Sequence, residues 1–300
     1  MIGKRLSAML VEKGYQVIVL TRNANTGRSA APVSYAHWDI DNGEIDIKAV
    51  TGADYIIHLA GASVAEKRWT EKRKKEIVES RTKSSALLVK TLRENSNKIK
   101  AVISSSATGW YGGDTAASLK DGFKETEKPD TDFLGETCLL WEESVEAFNV
   151  HGKRLVKLRT GIVLSNDGGA YIEFKKPLKA GVATILGSGK QMISWIHADD
   201  ICRMYIYALE SDKMNGAYNA VAPNPVSNKT LILQIARQLN PRFYIPLYVP
   251  AFALKIALGE MSVEVLKSTK ASADKISSAG FTFLYPTIDK AIEALAKEKQ

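Results

Sequence analysis

The chain has 300 residues, of which 45% are hydrophobic and 25% are charged, and its formal net charge is +8 at pH 7. This composition is ordinary for a globular chain and excludes the disordered and fibrous classes. The sequence contains no uninterrupted apolar run of about 18 residues and does not begin with a signal-peptide pattern. We therefore expect a cytoplasmic protein with no membrane partner.

The positive charge is concentrated in EKRWTEKRKKEIVESRTK at residues 66–83. In this stretch Lys and Arg alternate with Glu, which is typical of a solvated helix face rather than of a phosphate-binding surface. No nucleic-acid partner is therefore expected, although binding through this helix stays open as a minor alternative. Cys138 and Cys202 have no second ligand at metal-binding spacing, so they are expected to be core thiols and no metal site is predicted.

The predicted elements begin with a helix whose apolar stripe of Leu6, Met9 and Leu10 ends near Gly14. Five buried strands follow, namely YQVIVL, VSYAHWDI, DYIIHLAG, KAVISSSA and RLVKLRTGIVLS. Long helices over residues 70–95 and 132–148 connect the last three strands. Strands that alternate with helices in this way predict an α/β fold, a Rossmann-like doubly wound parallel sheet.

The regular alternation of strands and helices ends after Ser165. The next segments predict a helix in GGAYIEFKKPLKAGV, a turn-rich strand pair in TILGSGKQMISWIHADD, a helix over residues 200–209 and a strand in GAYNAVAP. The rest is expected to be mainly helical, with YIPLYVPAFALKIALG as a packed helix pair or a subunit contact. We expect residues 1–165 and 196–222 to form a dinucleotide-binding domain, and residues 166–195 and 223–300 to form a smaller substrate lobe.

Ligands of such sheets bind beyond the carboxyl ends of the strands, so candidate site residues are sought there. Arg22, with Arg28 close behind, follows the first strand, where an arginine favours the 2′-phosphate of NADP; a merely solvated arginine is the alternative. Asp39 either accepts from an adenine amino group or caps the next turn. Ala60 and Gly61 are small enough for a cofactor to approach the backbone closely.

The junction SSSATGWYGG after the fourth strand is the most informative one. Serine and tyrosine hydroxyls at a strand end can polarise a carbonyl and relay a proton beside a nicotinamide ring. A glycine-rich turn with capping serines is an equally good interpretation. His197, followed by Asp199 and Asp200, is the best histidine candidate, for which we favour a structural or pocket-lining role.

Five segments together resemble one family over essentially the whole chain. They are HLAGASVAEKRWTEKRKKEIVESR, SSSATGWYGG, GSGKQMISWIHADDICR, VPAFALKIALGEMSVEVLKS and AGFTFLYPTIDKAI. The chain resembles the extended or atypical branch of the short-chain dehydrogenase/reductase superfamily. Within that branch it is similar to sugar-nucleotide-epimerase-like proteins that carry a C-terminal domain of unknown function, some of them mislabelled as cell-division inhibitors.

The resemblance implies a strand and a Gly-x-x-Gly-x-x-Gly turn before the first helix. Gly3 matches the third glycine of that turn, and the strand and the first two glycines are missing from the sequence. Because this strand lies in the middle of the family's sheet, its neighbours should each lose one ladder of hydrogen bonds. Our expectation is that Met1 is a mis-assigned or truncated start.

The resemblance also implies a catalytic Tyr followed four residues later by a Lys, and here Phe133 and Thr137 stand at those positions. The resembling proteins share this loss. Ser105 or Ser106 matches the family's catalytic serine, and Tyr111 is the nearest phenol that could replace the lost acid. Glu136 is a candidate base, with a solvated glutamate as the more ordinary interpretation.

The expected function is that of an NADP(H)-binding oxidoreductase or epimerase-like enzyme that transfers hydride to or from a small carbonyl or hydroxyl substrate. The alternative is a non-catalytic NADP(H)-binding sensor or scaffold, and a homodimer is possible. Ser105, Ser106 and Tyr111 are the predicted catalytic residues. The predicted cofactor-binding residues are Gly3, Arg22, Asp39, Leu59, Ala60, Gly61, Arg81, Ser104, Arg159 and Gly161.

Overall fold

The computed structural model describes residues 1–24, 32–150, 152–239 and 243–298. Its helices are α1 (Ile2–Glu12), α2 (Ile47–Thr51), α3 (Glu71–Glu94), α4 (Ala116–Asp121), α5 (Phe133–Val150), α6 (Ala170–Leu178), α7 (Ala198–Glu210), α8 (Asn228–Leu239), α9 (Ala251–Leu258), α10 (Ser262–Leu266), α11 (Asp274–Ser278) and α12 (Ile288–Lys297). Its strands are β1 (Val17–Thr21), β2 (Val33–Asp39), β3 (Glu44–Ile45), β4 (Tyr55–His58), β5 (Ala101–Ala107), β6 (Arg154–Thr160), β7 (Ile162–Leu164), β8 (Val182–Leu186), β9 (Met192–Ile193), β10 (Trp195–His197), β11 (Gly216–Ala220), β12 (Val226–Ser227) and β13 (Ile245–Val249). Arg28 falls outside the described residues.

The central sheet is parallel and has the strand order β11-β6-β5-β4. A second sheet has the order β1-β2-β3, with β1 and β2 parallel and β3 antiparallel. Among the described strands, β1 pairs only with β2 and β4 only with β5, so each has one open edge, as the sequence led us to expect. The Rossmann-like α/β fold is confirmed.

Helices cover both faces of the central sheet because successive side chains of each strand point to opposite faces. In β5, Ile103 joins the core that includes α1 and α7, whereas Val102 joins the core built with α3 and α5. Both cysteines are buried free thiols in or beside this packing, and burial raises the pKa of each to about 12. They behave as core residues.

The strand predicted over RLVKLRTGIVLS is divided at Gly161 into β6 and β7. At this residue the chain changes neighbours: the Gly161 amide donates to Ala220, whereas the Ile162 amide donates to Ser194. A Cβ at Gly161 would lie 2.4 Å from the carbonyl oxygen of Ser194. The glycine is therefore required by the close approach of two backbones.

A second core joins α6, α8 and α12 to strand β8, which pairs in parallel with the mostly exposed strand β13. The expectation of a helix pair over residues 244–259 is wrong in its first half, where residues 245–249 form strand β13. Pro246 and Pro250 disfavour a helix there, and an edge strand tolerates a residue without an amide hydrogen. The domain boundaries stay a prediction.

Helix α3 carries the basic cluster, and its charges are paired along the helix. Arg73 and Glu76 are 2.7 Å apart, and Lys83 and Glu79 are 3.0 Å apart. These pairs have the spacing of neighbours on one helix face. In the described part of the chain, no helix is both long and apolar enough to cross a membrane.

Candidate functional site

The carboxyl ends of β4 and β5 are covered by a segment from the C-terminal lobe, residues 256–270. The guanidinium of Arg68, in the loop after β4, donates to the carbonyl of Ile256 at 3.3 Å. The amide of Asp114, in the loop after β5, donates to the carbonyl of Ser268 at 2.8 Å. Both loops therefore contact this segment, at the edge where parallel sheets bind ligands.

Arg81 of α3 is a buried cation at this edge of the sheet. Its Nη1 donates to the carbonyls of Ala62 at 3.1 Å and Ile77 at 2.8 Å, and its guanidinium lies 4.7 Å from the ring centre of Trp141. No carboxylate in the described part of the chain lies within ion-pair distance of it, and burial lowers its pKa. A buried charge without a counter-charge is costly, so this position suits an anion.

Gly61 lies directly against Arg81 and is exposed to solvent. A Cβ at Gly61 would lie 3.1 Å from the Arg81 Cζ atom. The small residue predicted here therefore leaves room beside the guanidinium, as a close backbone approach requires. Leu59 and Ala60 precede it and are half-buried. The Leu59 side chain would lie 3.7 Å from a Cβ at Gly3, which places the start of α1 beside this loop.

His58 connects β4 to α3 and β5 under the site. Its Nε2 lies 2.9 Å from the hydroxyl of Ser84, which itself donates to the Arg81 carbonyl, so Nε2 carries the proton. On the other side, the Ser104 hydroxyl lies 3.5 Å from Nδ1. Burial, with a contribution from the Arg81 charge, lowers the pKa of His58 to about 4. His58 is therefore a neutral group of the core.

The serines of β5 point to opposite faces of the sheet. Ser104 and Ser106 are buried on the face covered by α3 and α5, and Ser105 faces Tyr205 of α7. The hydroxyl of Ser106 donates to Glu142 Oε1 at 2.8 Å. The structure therefore does not bring Ser105 and Ser106 together, and of these two only Ser106 lies on the side of α5.

Glu142 and Arg159 form an ion pair that is almost completely buried. Arg159 Nε donates to Glu142 Oε1 at 2.8 Å, and its Nη2 donates to Oε2 at 3.1 Å. The two residues are 4% and 3% exposed. The guanidinium also lies 3.7 Å from the ring centre of Trp110 and donates to the carbonyl of Glu125. Arg159 thus anchors the loop that follows β5.

Tyr111 belongs to the same buried network and is 1% exposed. Its hydroxyl donates to Asn219 at 2.7 Å and accepts from Arg159 at 3.1 Å, and its ring stacks on Phe123. Burial raises the pKa of Tyr111 to about 12, although the Arg159 charge opposes the shift. Its phenol is therefore held inside the protein.

The first turn of α5 has no phenol or amine at the family's catalytic positions. Phe133 packs edge-on against Trp69 with 4.8 Å between ring centres, and the Thr137 hydroxyl donates to the Phe133 carbonyl at 2.6 Å. Glu136 lies on the exposed side of the helix. Neither Phe133 nor Thr137 has a group that titrates near neutral pH.

The remaining candidates lie at other strand ends. Arg22 is exposed at the end of β1, and nothing in the described part of the chain pairs with its guanidinium. Asp39 accepts from the amides of Asp41 at 3.0 Å and Asn42 at 3.1 Å, so it caps the turn after β2. The sequence allowed a solvated arginine at position 22 and a turn-capping carboxylate at position 39. The structure agrees with both of these interpretations.

His197 has a structural position. Its Nδ1 accepts from the Asp199 amide at 3.0 Å and caps α7, and its ring packs 4.0 Å from that of Tyr285. Burial lowers its pKa. Asp200 accepts from the amides of Leu284 and Tyr285 at 2.8 and 2.9 Å. These contacts fix the C-terminal segment to α7.

Glu142 was not singled out from the sequence. The signal was present, since a carboxylate one residue after Trp141 and four after Cys138 interrupts the apolar stripe of α5. Its partners, Ser106 and Arg159, could not be identified because they are 36 and 17 residues away.

We expect Glu142→Gln to lower the free energy of unfolding by about 3–5 kcal/mol, because it leaves the buried Arg159 charge without a counter-charge. Urea denaturation at pH 7 measures the change. The control is Glu143→Gln, at the exposed neighbouring position. It should alter the free energy of unfolding by less than about 0.5 kcal/mol. Equal effects of the two variants would contradict the importance of the buried pair.

We expect His58 to make the chain sensitive to acid. Its pKa is about 4 in the folded chain against 6.5 ordinarily, so between these values the unfolded state binds more protons and stability falls as the pH falls. The free energy of unfolding should be lower at pH 4 than at pH 7 by about 3 kcal/mol. Urea denaturation between pH 4 and 7 should show that the free energy of unfolding of His58→Gln depends less on pH than that of the native chain. His37→Gln, at a half-buried histidine, is the control and should keep the full pH dependence of the free energy of unfolding. An unchanged pH dependence in His58→Gln would show that His58 is not its origin.

Solved structures similar to this one include two epimerase-like proteins. A human epimerase family protein, crystallised with NADPH, superimposes with a TM-score of 0.83 at 24% identity over 99% of this chain and 96% of that one. A nucleoside-diphosphate sugar epimerase from Corynebacterium glutamicum superimposes with a TM-score of 0.76 at 29% identity, over 99% of this chain and 56% of that one.

Sequence comparisons agree with this likeness. An epimerase family protein of Staphylococcus saprophyticus is 33% identical over 98% of this chain and 96% of its own length, and one of Bacillus subtilis is 33% identical over 100% and 96%. The model of a domain of unknown function, DUF1731, matches residues 249–295. The model of the NAD dependent epimerase/dehydratase family matches residues 1–220, and the chain therefore belongs to this family.

Proposed function

We propose that the chain binds NADP(H) and is an oxidoreductase or epimerase-like enzyme acting on a small carbonyl or hydroxyl substrate. The observation that carries this proposal is Arg81, a buried guanidinium without a carboxylate partner among the described residues, at the carboxyl ends of β4 and β5. This is the edge at which doubly wound sheets bind dinucleotides.

A phosphate group fits the surroundings of Arg81. The guanidinium uses Nη1 for backbone carbonyls, and its buried charge gains most from an anion that also accepts hydrogen bonds. Gly61 in front of it has no side chain to obstruct a bound group. The comparisons support a dinucleotide, since the human neighbour was crystallised with NADPH and other neighbours with NAD.

The preference for NADP rests on Arg22. This residue is exposed at the end of β1, and no described side chain uses its charge. A 2′-phosphate on the adenine ribose would give the guanidinium a bidentate partner. An acidic residue, which would accept from a free 2′-hydroxyl, does not stand at this position.

A bound nicotinamide would supply or take up the hydride, and the chain must hold the substrate oxygen. Ser105 and Ser106 are the serines predicted for this role: Ser105 is half-buried, whereas Ser106 is buried and its hydroxyl donates to Glu142. Arg159 fixes Glu142 and the Trp110–Tyr111 turn, so it acts as a positioning residue. Tyr111 supports the loop through Asn219.

The alternative function is a dinucleotide-binding sensor without turnover. It is favoured by Phe133 and Thr137, which replace the usual proton-transfer pair, and by the burial of Tyr111. The two functions differ in one measurement: NADPH consumption with a panel of aldehydes and ketones supports the enzyme, whereas tight binding with no oxidation supports the sensor.

We expect Arg22→Ala to weaken NADPH binding at least tenfold, because a charge-assisted contact to the 2′-phosphate is lost, and to leave NADH binding unchanged. Titrations followed by tryptophan fluorescence give both dissociation constants. The matched control is Arg93→Ala, at an exposed arginine near the end of α3, which should bind like the native chain. A native chain that binds neither dinucleotide would contradict the proposed function, whereas equal loss in both variants would contradict the role of Arg22.

A further inference from the structure

Residues 243–256, which we call the apolar segment, leave most of their hydrophobic side chains in contact with solvent. Strand β13 is exposed at four of its five residues, and Leu254 is the buried residue of α9. Six large hydrophobic side chains of the segment are 46–73% exposed, namely Phe243, Ile245, Leu247, Tyr248, Phe252 and Ile256. The other exposed large hydrophobic side chains of the described residues are scattered between residues 1 and 284.

The exposed surface of the apolar segment is as large as one side of a protein–protein interface. Strand β13 is about 16 Å long and α9 about 12 Å, and Pro250 alone separates them, so the six side chains lie in one region. A fully exposed aromatic side chain presents about 150–250 Å², so the six together expose about 700 Å². The largest apolar patch of a typical monomer is about 300–600 Å², whereas each side of a standard interface is about 800 Å².

The composition of the apolar segment favours a partner surface of the same kind. Lys255 is its single charged residue, although 25% of the whole chain is charged. Interface cores are depleted in charge and enriched in aromatic residues in this way. An anionic membrane would be attracted by a cluster of lysines and arginines, which the segment lacks. A second copy of the segment meets the requirement, because a two-fold axis brings the same apolar surface to both sides of the contact.

The open edge of β13 is protected against pairing with another strand. The Ile245 amide donates to Gly181 and the Val249 carbonyl accepts from Gly187, so alternate residues from 245 to 249 face β8. The backbone groups of Pro246 and Tyr248 therefore point to the open edge. Pro246 has no amide hydrogen and interrupts any ladder there. A partner must therefore contact the side chains of the segment rather than extend its sheet.

The chain beyond the apolar segment is fixed to the rest of the protein. Lys267 contacts Asp132, and the Thr269 hydroxyl donates to the Gly112 carbonyl at 3.2 Å. The segment itself consists of a five-residue strand and an eight-residue helix. Elements this short are marginally stable in water unless their apolar faces are covered. Burial against a partner would therefore stabilise the segment.

We propose that the apolar segment is a homodimer interface, in which the segment of one copy packs against the same segment of a second copy about a two-fold axis. Phe252 and Ile256 lie on one face of α9, because they are four residues apart, and form the centre of the contact. Lys255 lies at its rim. The inference is independent of the proposed function. Because α9 leads directly into segment 256–270, dimerisation also restrains the part of the chain that contacts the loops after β4 and β5.

Sedimentation velocity of the full native chain tests the proposal. At micromolar concentrations we expect a particle of twice the 32.9 kDa mass of one chain. Phe252→Glu and Ile256→Glu place a charge in the contact, so each should raise the dimer dissociation constant at least about thirtyfold. Both side chains are exposed in the single chain, so the far-UV circular dichroism spectrum should stay native. The matched control is Leu140→Glu, at an exposed position of α5, which should dimerise like the native chain.

Three results would overturn the proposal. The first is a native chain that stays monomeric at the highest concentration at which it is soluble. The second is a dimer that Leu140→Glu abolishes and the two α9 variants keep, because the second copy would then lie on α5. The third is a monomer that floats with phosphatidylcholine–phosphatidylserine vesicles and loses flotation in Phe252→Glu, which would assign the segment to a membrane surface.

Hydrogen–deuterium exchange of the native chain gives a readout that needs no variant. Amides of β13 and α9 should exchange more slowly above the dimer dissociation constant than below it. Concentration-dependent protection confined to other elements would contradict the proposed interface even if the chain dimerises.

Discussion

The buried ion pair between Glu142 and Arg159 is the interaction on which the candidate site depends. It joins α5 to β6 where both side chains are almost completely buried, and a buried charge is stable only beside its partner and with its hydrogen bonds made. Glu142 also orients Ser106, and Arg159 lies on Trp110 and holds the carbonyl of Glu125. This pair of charges thus fixes strand β6, helix α5 and the loop after β5 relative to one another. This role explains why two charged residues lie in the core here.

The second constraint is the position of the C-terminal segment 256–270. Its contacts with the loops after β4 and β5 place it over the carboxyl ends of the parallel strands. The Rossmann-like part contributes Arg81, beside which we propose that a phosphate group binds. The residues that follow this segment, Ala271, Ala273 and Ile276, pack into the core of the central sheet, so the segment is tied to the sheet at its C-terminal end.

The spacing of apolar residues predicted the secondary structure well where the pattern was regular. Helices α3 and α5 lie within about two residues of their predicted ends because their apolar stripes and flanking signals are clear. Strand β13 was interpreted as helical because a short apolar run has no period of its own, and pairing with β8, about 60 residues earlier, decides its structure. Here tertiary contacts overrode the local pattern.

The site was predictable in its location and less so in its details. Strand ends directed attention to Arg22, Gly61 and the serines of β5. Strand alternation already implies that Ser105 and Ser106 face opposite sides. However, the partners that decide their roles, such as Glu142 for Ser106 or Lys267 for Asp132, are 36 and 135 residues away. No local pattern encodes such pairs, and they emerge only from the folded chain.

Hydrogen–deuterium exchange of the native chain with and without NADPH tests the central claim most directly, because it locates the bound group rather than only detecting it. The account predicts slower amide exchange in residues 59–62, around Arg81 and in the loop after β5, with β13 unaffected. Protection confined to the outer part of the small lobe, or binding without any change around Gly61 and Arg81, would contradict it.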